Sequence, residues 1–231
     1  MDWVSNVQQN WKPQVIGDLT IRFPWHSDVV CTTPHELVLE GGAAFGTGDH
    51  ATTRLCIRWL RCHAQDKMVL DYGCGSAVLA MAALLYGAQA PTVGTDIDLD
   101  SLVSARHNSA QNNLHVDLYQ VLDVDDDGRF ANTLRGGADE SIKTSFPPVG
   151  ALDGRAFDMV VANILAPVLI QLAPEIERRL APGGVFALSG VVVPQADKVL
   201  ECYRHLSSLE QVKVEEVEDG WVLITGRKKI E

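Results

Sequence analysis

The pattern of apolar and polar positions along the chain predicts short buried strands that alternate with helices. Five short apolar runs are typical of buried strands in a parallel sheet, and they lie at residues 68–70, 93–96, 117–122, 157–166 and 185–189. Helical patterns accompany these runs, at residues 54–62, 78–85, 102–112, 168–180 and 196–206. Two further strands, at 212–217 and 221–226, flank Asp219-Gly220, which is a strong hairpin signal. This order predicts the α/β class: a doubly wound, Rossmann-like sheet with an antiparallel edge strand at the C-terminus.

The first part of the chain has a weaker pattern. Strands are predicted at 19–23 and 36–40, after a short helix near the start. We therefore divide the chain into residues 1–40, a linker helix and short strands, and residues 41–231, the main domain.

Residues 123–156 interrupt the regular alternation of strands and helices. They are rich in Asp, Gly, Ser and Pro and are too long for an ordinary connection, so we predict a flexible insertion. The residues from Asp123 to Gly128 match the opening of a calcium-binding loop, but the twelfth position of that loop is Leu134 instead of glutamate. We therefore predict no metal site.

The stretch from residue 69 to residue 77 joins the first strand of the main domain to its helix. Asp71 ends the strand, and Gly73 and Gly75 form a turn that lets a ligand approach the backbone at the start of the helix. A dinucleotide site needs a third glycine where this chain has Val78, so a NAD dehydrogenase is disfavoured. The pattern resembles instead the first motif of S-adenosylmethionine (SAM) dependent methyltransferases, although an ordinary strand-to-helix turn also fits these residues.

Two polar residues follow other predicted strands of the sheet. Asp96 ends the second strand, where a carboxylate can accept hydrogen bonds from ribose hydroxyls. Asn163 is predicted at the tip of the fourth strand, where its side chain offers both an acceptor and a donor, although it also fits a turn. Because parallel sheets bind ligands at this edge, the two residues are candidates for one site.

Composition limits the class of protein. The formal net charge of −11 disfavours nonspecific nucleic-acid binding and mildly favours a basic partner. The five cysteines include no Cys-x-x-Cys pair, which indicates free thiols in a reducing compartment. No apolar run approaches the length of a membrane span. We predict a cytoplasmic protein, or an organellar one if Met1 is not the natural start, with no membrane partner.

Taken together, the motifs resemble the PrmA family, whose members methylate large-subunit ribosomal protein L11. The motifs that carry the resemblance are Ala44-Phe45-Gly46-Thr47-Gly48 with His50 and Thr52-Thr53, Asp71-x-Gly73-Cys74-Gly75-Ser76, Asp96-Ile97-Asp98, 161–166, Leu188-Ser189-Gly190 and 224–228. The resemblance covers nearly the whole chain except the insertion. It implies a Class I SAM-dependent methyltransferase fold for residues 41–231, with SAM as the cofactor.

The resemblance also implies roles for individual residues. The expected cofactor-binding residues are Thr53, Gly73, Asp96 and Asn163, with Phe45 and Thr47 lining the same site and Asp71 and Gly75 completing the first motif. Asn163 is also the candidate catalytic residue, because it is expected to orient the acceptor amine. Two departures stand out: Ala77 replaces a usual third glycine, and the family's N-terminal substrate-recognition domain is absent from this chain.

The sequence therefore predicts a SAM-dependent methyltransferase of the protein-lysine type, which transfers methyl groups to lysine or N-terminal amines of a protein such as ribosomal protein L11. Two alternatives stay open: a SAM methyltransferase for a different protein or a small molecule, and a noncatalytic subunit with the same fold. The oligomeric state and the number of methyl groups added are not predicted.

Overall fold

The computed structural model of the protein describes residues 12–26, 28, 30–40, 48–124, 130–131 and 146–230. The strands in this part of the chain are β1 (Gln14–Ile16), β2 (Leu19–Arg22), β3 (His35–Val38), β4 (Val69–Tyr72), β5 (Thr92–Asp96), β6 (Val116–Gln120), β7 (Asp123–Val124), β8 (Phe130–Ala131), β9 (Phe157–Asn163), β10 (Leu180–Val192), β11 (Leu209–Glu218) and β12 (Trp221–Lys228). The helices are α1 (Ala51–His63), α2 (Val78–Leu85), α3 (Leu99–Gln111), α4 (Ala166–Gln171), α5 (Ala173–Arg179) and α6 (Ala196–Arg204).

A seven-stranded sheet forms the centre of the molecule, with the spatial order β11-β12-β10-β9-β4-β5-β6. Strands β10, β9, β4, β5 and β6 pair in parallel, whereas β12 runs antiparallel to both of its neighbours. The predicted doubly wound sheet is confirmed. The antiparallel strand lies one position inside the edge, because the terminal hairpin places its second strand against β10 and leaves β11 outermost.

Alternating residues of the central strand β9 serve the two sides of the sheet. Met159 and Val161 belong to the apolar cluster that contains α1, α2 and α3, whereas Val160 and Ala162 belong to the cluster that contains α4, α5 and α6. All four residues are fully buried. This double burial explains why the strand reads as one uninterrupted apolar run.

The single helix predicted over 168–180 is wrong: α4 and α5 are separate helices that meet at Leu172. Pro174 lies in the first turn of α5, where it cannot donate a backbone hydrogen bond and its ring conflicts with a continuous helix. No helix in the described ranges is long and apolar enough to cross a membrane.

Two asparagines, Asn108 in α3 and Asn112 at the carboxyl-terminal cap of that helix, attach the amino-terminal strands to the main domain. Asn112 pairs with both backbone groups of Val38, through Oδ1 and Nδ2, each over 2.8 Å. Asn108 accepts from the Glu40 amide over 2.8 Å and donates to the Ser76 carbonyl over 3.1 Å. The segment after β3 is thereby fixed beside the glycine turn.

The predicted insertion at 123–156 is only partly described. Most of the possible calcium loop lies outside the described residues, so the structure does not test it. Near the carboxyl end of the insertion, Phe146 is buried with the Arg106 guanidinium 3.9 Å from its ring centre, and Leu152 is also buried. The insertion thus includes a segment, 146–156, that packs on the domain.

Candidate functional site

A cleft of about 810 Å³ opens at the carboxyl ends of β4, β5, β9 and β10. Gly73, which follows β4, and Asp96 and Asn163, which end β5 and β9, line it together with Gly190 of β10. Parallel α/β sheets bind their ligands at this edge, and the volume is typical of a small-molecule site. The fold therefore brings the polar residues that were predicted at the ends of the strands into one cavity.

The turn after β4 has an unusual backbone conformation. Gly73, Gly75 and Ala77 all have positive φ values, of 77°, 52° and 62°. The amides of Gly73 and Cys74 donate to the Thr95 carbonyl over 2.8 and 2.9 Å, so the turn is attached to β5. Ala77 retains the left-handed conformation where the resemblance expects glycine, and its small side chain is buried.

Asp96 forms one end of the cleft, together with Ile97 and Val121. Its Oδ2 accepts a hydrogen bond from the Gly75 amide over 2.8 Å, and its Oδ1 accepts from the Asp98 amide over 2.9 Å. Burial raises the pKa of Asp96 above its usual value, although these two amide contacts oppose the shift. Each carboxylate oxygen can accept a second hydrogen bond, so Asp96 can still bind a hydroxylated ligand.

Asn163 lies at a different part of the cleft, which we call the Asn163 end and define by Asn163, His50 and Trp221. The Asn163 Nδ2 donates to Thr53 Oγ1 over 3.4 Å. The Asn163 Oδ1 is buried, and no described residue donates a hydrogen bond to it. A buried acceptor without a partner is costly in a folded protein, and this one borders a cavity. The arrangement suits a ligand that carries an N–H donor.

Thr53 and Asp71 lie behind the cleft. Thr53 is fully buried in α1 and is connected to the cleft through Asn163. Asp71 is also fully buried, and its Oδ2 accepts from the Ala80 amide in the first turn of α2 over 3.1 Å. Desolvation raises the pKa of Asp71 to about 7, with a further contribution from Asp96, whereas the Ala80 amide lowers it. Asp71 supports the glycine turn from beneath.

His50 belongs to one of the motifs quoted above, but no sequence pattern predicts its contact with Trp221. Their rings meet edge to face, with centroids 4.7 Å apart and planes at 73°. His50 caps α1 and shares a 2.8 Å hydrogen bond between its Nδ1 and Thr52 Oγ1. Trp221 begins β12, and the pairing of β12 with β10 brings it to the cleft.

An ion network fixes this aromatic pair. Arg54 of α1 bonds Glu218 through Nε over 2.5 Å and Asp219 through a terminal nitrogen over 2.9 Å. Arg58, one turn later, bonds Glu216 over 2.7 Å and also contacts Glu218. The hairpin turn that carries Trp221 is therefore held against the helix that follows His50.

Among the residues that the sequence suggested for the site, Gly73, Gly75, Asp96 and Asn163 line the cleft, whereas Thr53 and Asp71 do not. Phe45 and Thr47 lie outside the described residues. The group that the fold implies, SAM, is a nucleoside with a cationic sulfonium and an amino-acid tail. The residues present suit it, because Asp96 retains acceptor capacity for hydroxyls and most of the cleft surface is apolar.

The sheet order, the glycine turn after β4 and the acid at the end of β5 define a Class I SAM-dependent methyltransferase. Within that class, the chain belongs to the PrmA family. The family model, described as ribosomal protein L11 methyltransferase (PrmA), matches residues 1–229.

Individual relatives agree with this assignment. A ribosomal protein L11 methyltransferase of Pseudomonas putida (strain GB-1) is 37% identical over 234 residues, which cover 99% of this chain and 68% of the relative. The crystal structure of a ribosomal protein L11 methylase from Lactobacillus delbrueckii subsp. bulgaricus has a TM-score of 0.73 at 25% identity, covering 95% of this chain and 100% of that one.

A more distant structure shares the fold. The T. thermophilus 16S rRNA methyltransferase RsmC, in complex with AdoMet and guanosine, has a TM-score of 0.54 at 20% identity, over 80% of this chain and 45% of that chain.

Proposed function

We propose that this chain binds SAM in the cleft and transfers its methyl group to an amine of ribosomal protein L11. The observation that carries the proposal is that one cleft holds two different polar groups. At one end, Asp96 has acceptor capacity suited to a ribose. At the other end, the buried Asn163 Oδ1 has no donor among the described residues. This is what we expect of an acceptor that is kept for an incoming amine.

Several residues are proposed to bind the cofactor. Asp96 accepts the ribose hydroxyls, and the backbone of Gly73 and Gly75 allows close approach of the amino-acid tail. By resemblance, Phe45 and Thr47 line the same site, whereas Thr53 and Asp71 act from behind it. The AdoMet in the related-fold RsmC structure supports the choice of cofactor. When bound, SAM supplies an electrophilic methyl group on a sulfonium.

The chain's own contribution to transfer is to desolvate and orient the amine. A free lysine has a pKa of about 10.4, so its deprotonation at pH 7 costs roughly 4 to 5 kcal/mol. The apolar walls of the cleft disfavour the ammonium form and reduce that cost. Asn163 Oδ1 then accepts a hydrogen bond from one N–H of the neutral amine. Because that N–H points at Asn163, the nitrogen lone pair points away from it. Positioning of this kind can supply much of the rate enhancement.

The acceptor is proposed from the names of the relatives, which are ribosomal protein L11 methyltransferases. The net charge of −11 also favours encounter with a basic protein, although charge alone does not select one lysine. The proposal therefore separates into a cofactor part and an acceptor part.

One experiment tests both parts. The purified chain is incubated with methyl-labelled SAM and purified ribosomal protein L11, beside a basic protein of similar size, and SAM affinity is measured by calorimetry. We expect SAM binding and label in L11 alone. Absence of SAM binding would refute the cofactor assignment, whereas SAM binding with no label in L11 would refute the acceptor.

A further inference from the structure

Ile164 occupies a particular place in the sheet, because it is the first residue beyond β9 and β9 lies between β4 and β10. The strand registers pair Val161 with Asp71 on one side and Asn163 with Ser189 on the other. Continued along the strands, these registers place Gly190 of β10 level with Ile164 and Gly73 after β4 level with Asn163, and both glycines lie against Ile164. The residue after Asn163 is thus flanked by two glycines.

Gly190 packs against the backbone of Ile164. A Cβ atom added at Gly190 would lie 2.3 Å from the Ile164 carbonyl oxygen and 2.7 Å from its carbonyl carbon. The φ of Gly190 is +83°, which also favours glycine. Because the neighbouring atoms belong to the main chain, a side chain at position 190 can be accommodated only if the peptide of Ile164 moves.

Gly73 packs against the side chain of Ile164. A Cβ atom added at Gly73 would lie 2.4 Å from Ile164 Cγ2, and the φ of Gly73 is +77°. The neighbouring atom here is a terminal methyl group. Shortening the side chain of residue 164 would therefore relieve this conflict, whereas it would not relieve the one at Gly190.

The strand that carries Gly190 is itself anchored. Ser189 Oγ donates to the Val222 carbonyl over 2.9 Å, and the pairing of β10 with β12 is interrupted between Leu188 and Val191. Ser189, the residue before Gly190, is thus held in place. The contact between Gly190 and Ile164 is therefore fixed at the carboxyl ends of the parallel strands.

We propose that Gly190 and Gly73 are positioning residues for methyl transfer, because Gly190 fixes the backbone of Ile164 and Gly73 fixes its side chain. Ile164 directly follows Asn163, so the two glycines together fix the direction of the Asn163 Oδ1. This inference rests on the proposed function, in which that oxygen orients the amine. Neither glycine needs to contact the acceptor for this role. Displacement of a reacting group by about 1 Å can cost about 100-fold in rate.

The role predicts a difference between the two ends of the cleft. In Gly190→Ala, the Ile164 peptide moves, whereas the Asp96 contacts with Gly75 and Asp98 stay intact. We expect the single-turnover rate of transfer to fall about 100-fold and the SAM dissociation constant to change less than about threefold. A glycine needed only for folding would alter stability, but its replacement would not slow transfer selectively while SAM affinity stayed nearly the same.

Gly154→Ala is the matched control. Gly154 has a φ of +82°, and a Cβ atom there would meet nothing within 4 Å. It is exposed and does not line the cleft. The control therefore imposes the same left-handed strain without displacing a neighbour, and its transfer rate should equal that of the wild type.

A double-mutant cycle with Ile164→Ala distinguishes the two contacts. Gly73 is also a proposed cofactor-binding residue, so the rates are compared at saturating SAM. We then expect Gly73→Ala to slow transfer much less in the Ile164→Ala background than in the wild type, because the conflicting methyl group is gone. Gly190→Ala should slow transfer equally in both backgrounds, since its conflict is with the main chain. Equal behaviour of the two glycines would contradict the assignment of their contacts.

A second measurement is independent of the acceptor. In protein labelled with 15N-asparagine, the side-chain amide resonance of Asn163 is identified by its loss in Asn163→Ala. We expect this resonance to shift in Gly190→Ala and to stay unchanged in Gly154→Ala. If it does not shift, or if Gly190→Ala transfers methyl groups as fast as Gly154→Ala, the positioning role is refuted. Failure of the wild type to methylate L11, with the shift present, would refute only the proposed acceptor.

Discussion

Asn163 and Thr53 belong to different elements, β9 and α1, and are joined by a hydrogen bond from Asn163 Nδ2 to Thr53 Oγ1 over 3.4 Å. The bond engages the donor group of the asparagine. It leaves the buried Oδ1 as an acceptor with no partner in the described part of the chain. Helix α1 thus determines that the oxygen of the Asn163 amide, and not its nitrogen, is available to a ligand.

The first prediction concerns this acceptor, the Asn163 Oδ1. Asn163→Ala should lower the single-turnover rate of methyl transfer by about 100-fold or more, the usual scale for removing one positioned polar group, while SAM affinity changes little. Thr53→Val, which removes the acceptor for Nδ2, should give a smaller loss, and Thr53→Ser should be close to wild type. Rapid-quench kinetics beside calorimetry measures both quantities. An unaffected transfer rate in Asn163→Ala would make Asn163 a turn residue only.

The second prediction concerns the opposite end of the cleft. Asp96→Ala should weaken SAM binding by about 1.5 to 3 kcal/mol, because hydrogen bonds to a charged group are lost. Asp100→Ala removes a nearby exposed carboxylate in α3 and serves as a charge-matched control. Calorimetric titration at constant ionic strength gives both affinities. Equal weakening in the two variants would indicate a general charge effect instead of a ribose contact.

The local parts of the site could be predicted from the sequence. The β4–turn–α2 unit and the position of Asp96 follow from short-range patterns, since glycines, an acid and an apolar run lie close together in the chain. Asp98 also caps α3, as its type suggests. These features depend on neighbours in the sequence and need no tertiary information.

The long-range parts could not be predicted. Trp221 reaches the cleft through the register of β12 on β10, and no pattern near residue 221 encodes that register. Asp71 reads as a cofactor contact from its motif, yet the structure places it behind the turn, where it bonds the Ala80 amide. The break at Leu172 depends on Pro174, whose effect the apolar periodicity concealed.

The third prediction tests the attachment of the hairpin to α1. Arg54→Ala should lower the free energy of unfolding by about 1.5 to 3 kcal/mol, because Arg54 and Glu218 are both partly buried and their bond is charge-assisted. Arg61→Ala on the same helix breaks a more exposed pair with Asp18, and it should cost less than about 1 kcal/mol. Urea unfolding of the two variants measures the difference. Equal costs would show that the network around Arg54 adds no more stability than a surface ion pair.

The fourth prediction concerns Asp71 and pH. Desolvation raises its pKa in the folded protein to about 7, from a usual value of 3.8. Between these values the folded state binds more protons than the unfolded state, so the free energy of unfolding that this group contributes falls as pH rises. The contribution is fully present below about pH 4 and is lost as pH passes through 7. This direction is opposite to that of a carboxylate in an ion pair.

Asp71→Asn removes the titration while it keeps an acceptor for the Ala80 amide. Because the asparagine cannot ionise, the variant should gain stability relative to the wild type as pH rises from 5 to 8, by about 2 to 3 kcal/mol at about 1.4 kcal/mol for each pKa unit. Chemical denaturation across this range gives the difference at each pH. Asp197→Asn, at an exposed position of α6, reports the effect of the substitution itself. If the difference between Asp71→Asn and wild type is constant with pH, Asp71 is not a buried carboxyl that titrates near neutrality. Its role beneath the glycine turn would then have to be that of a permanently charged group.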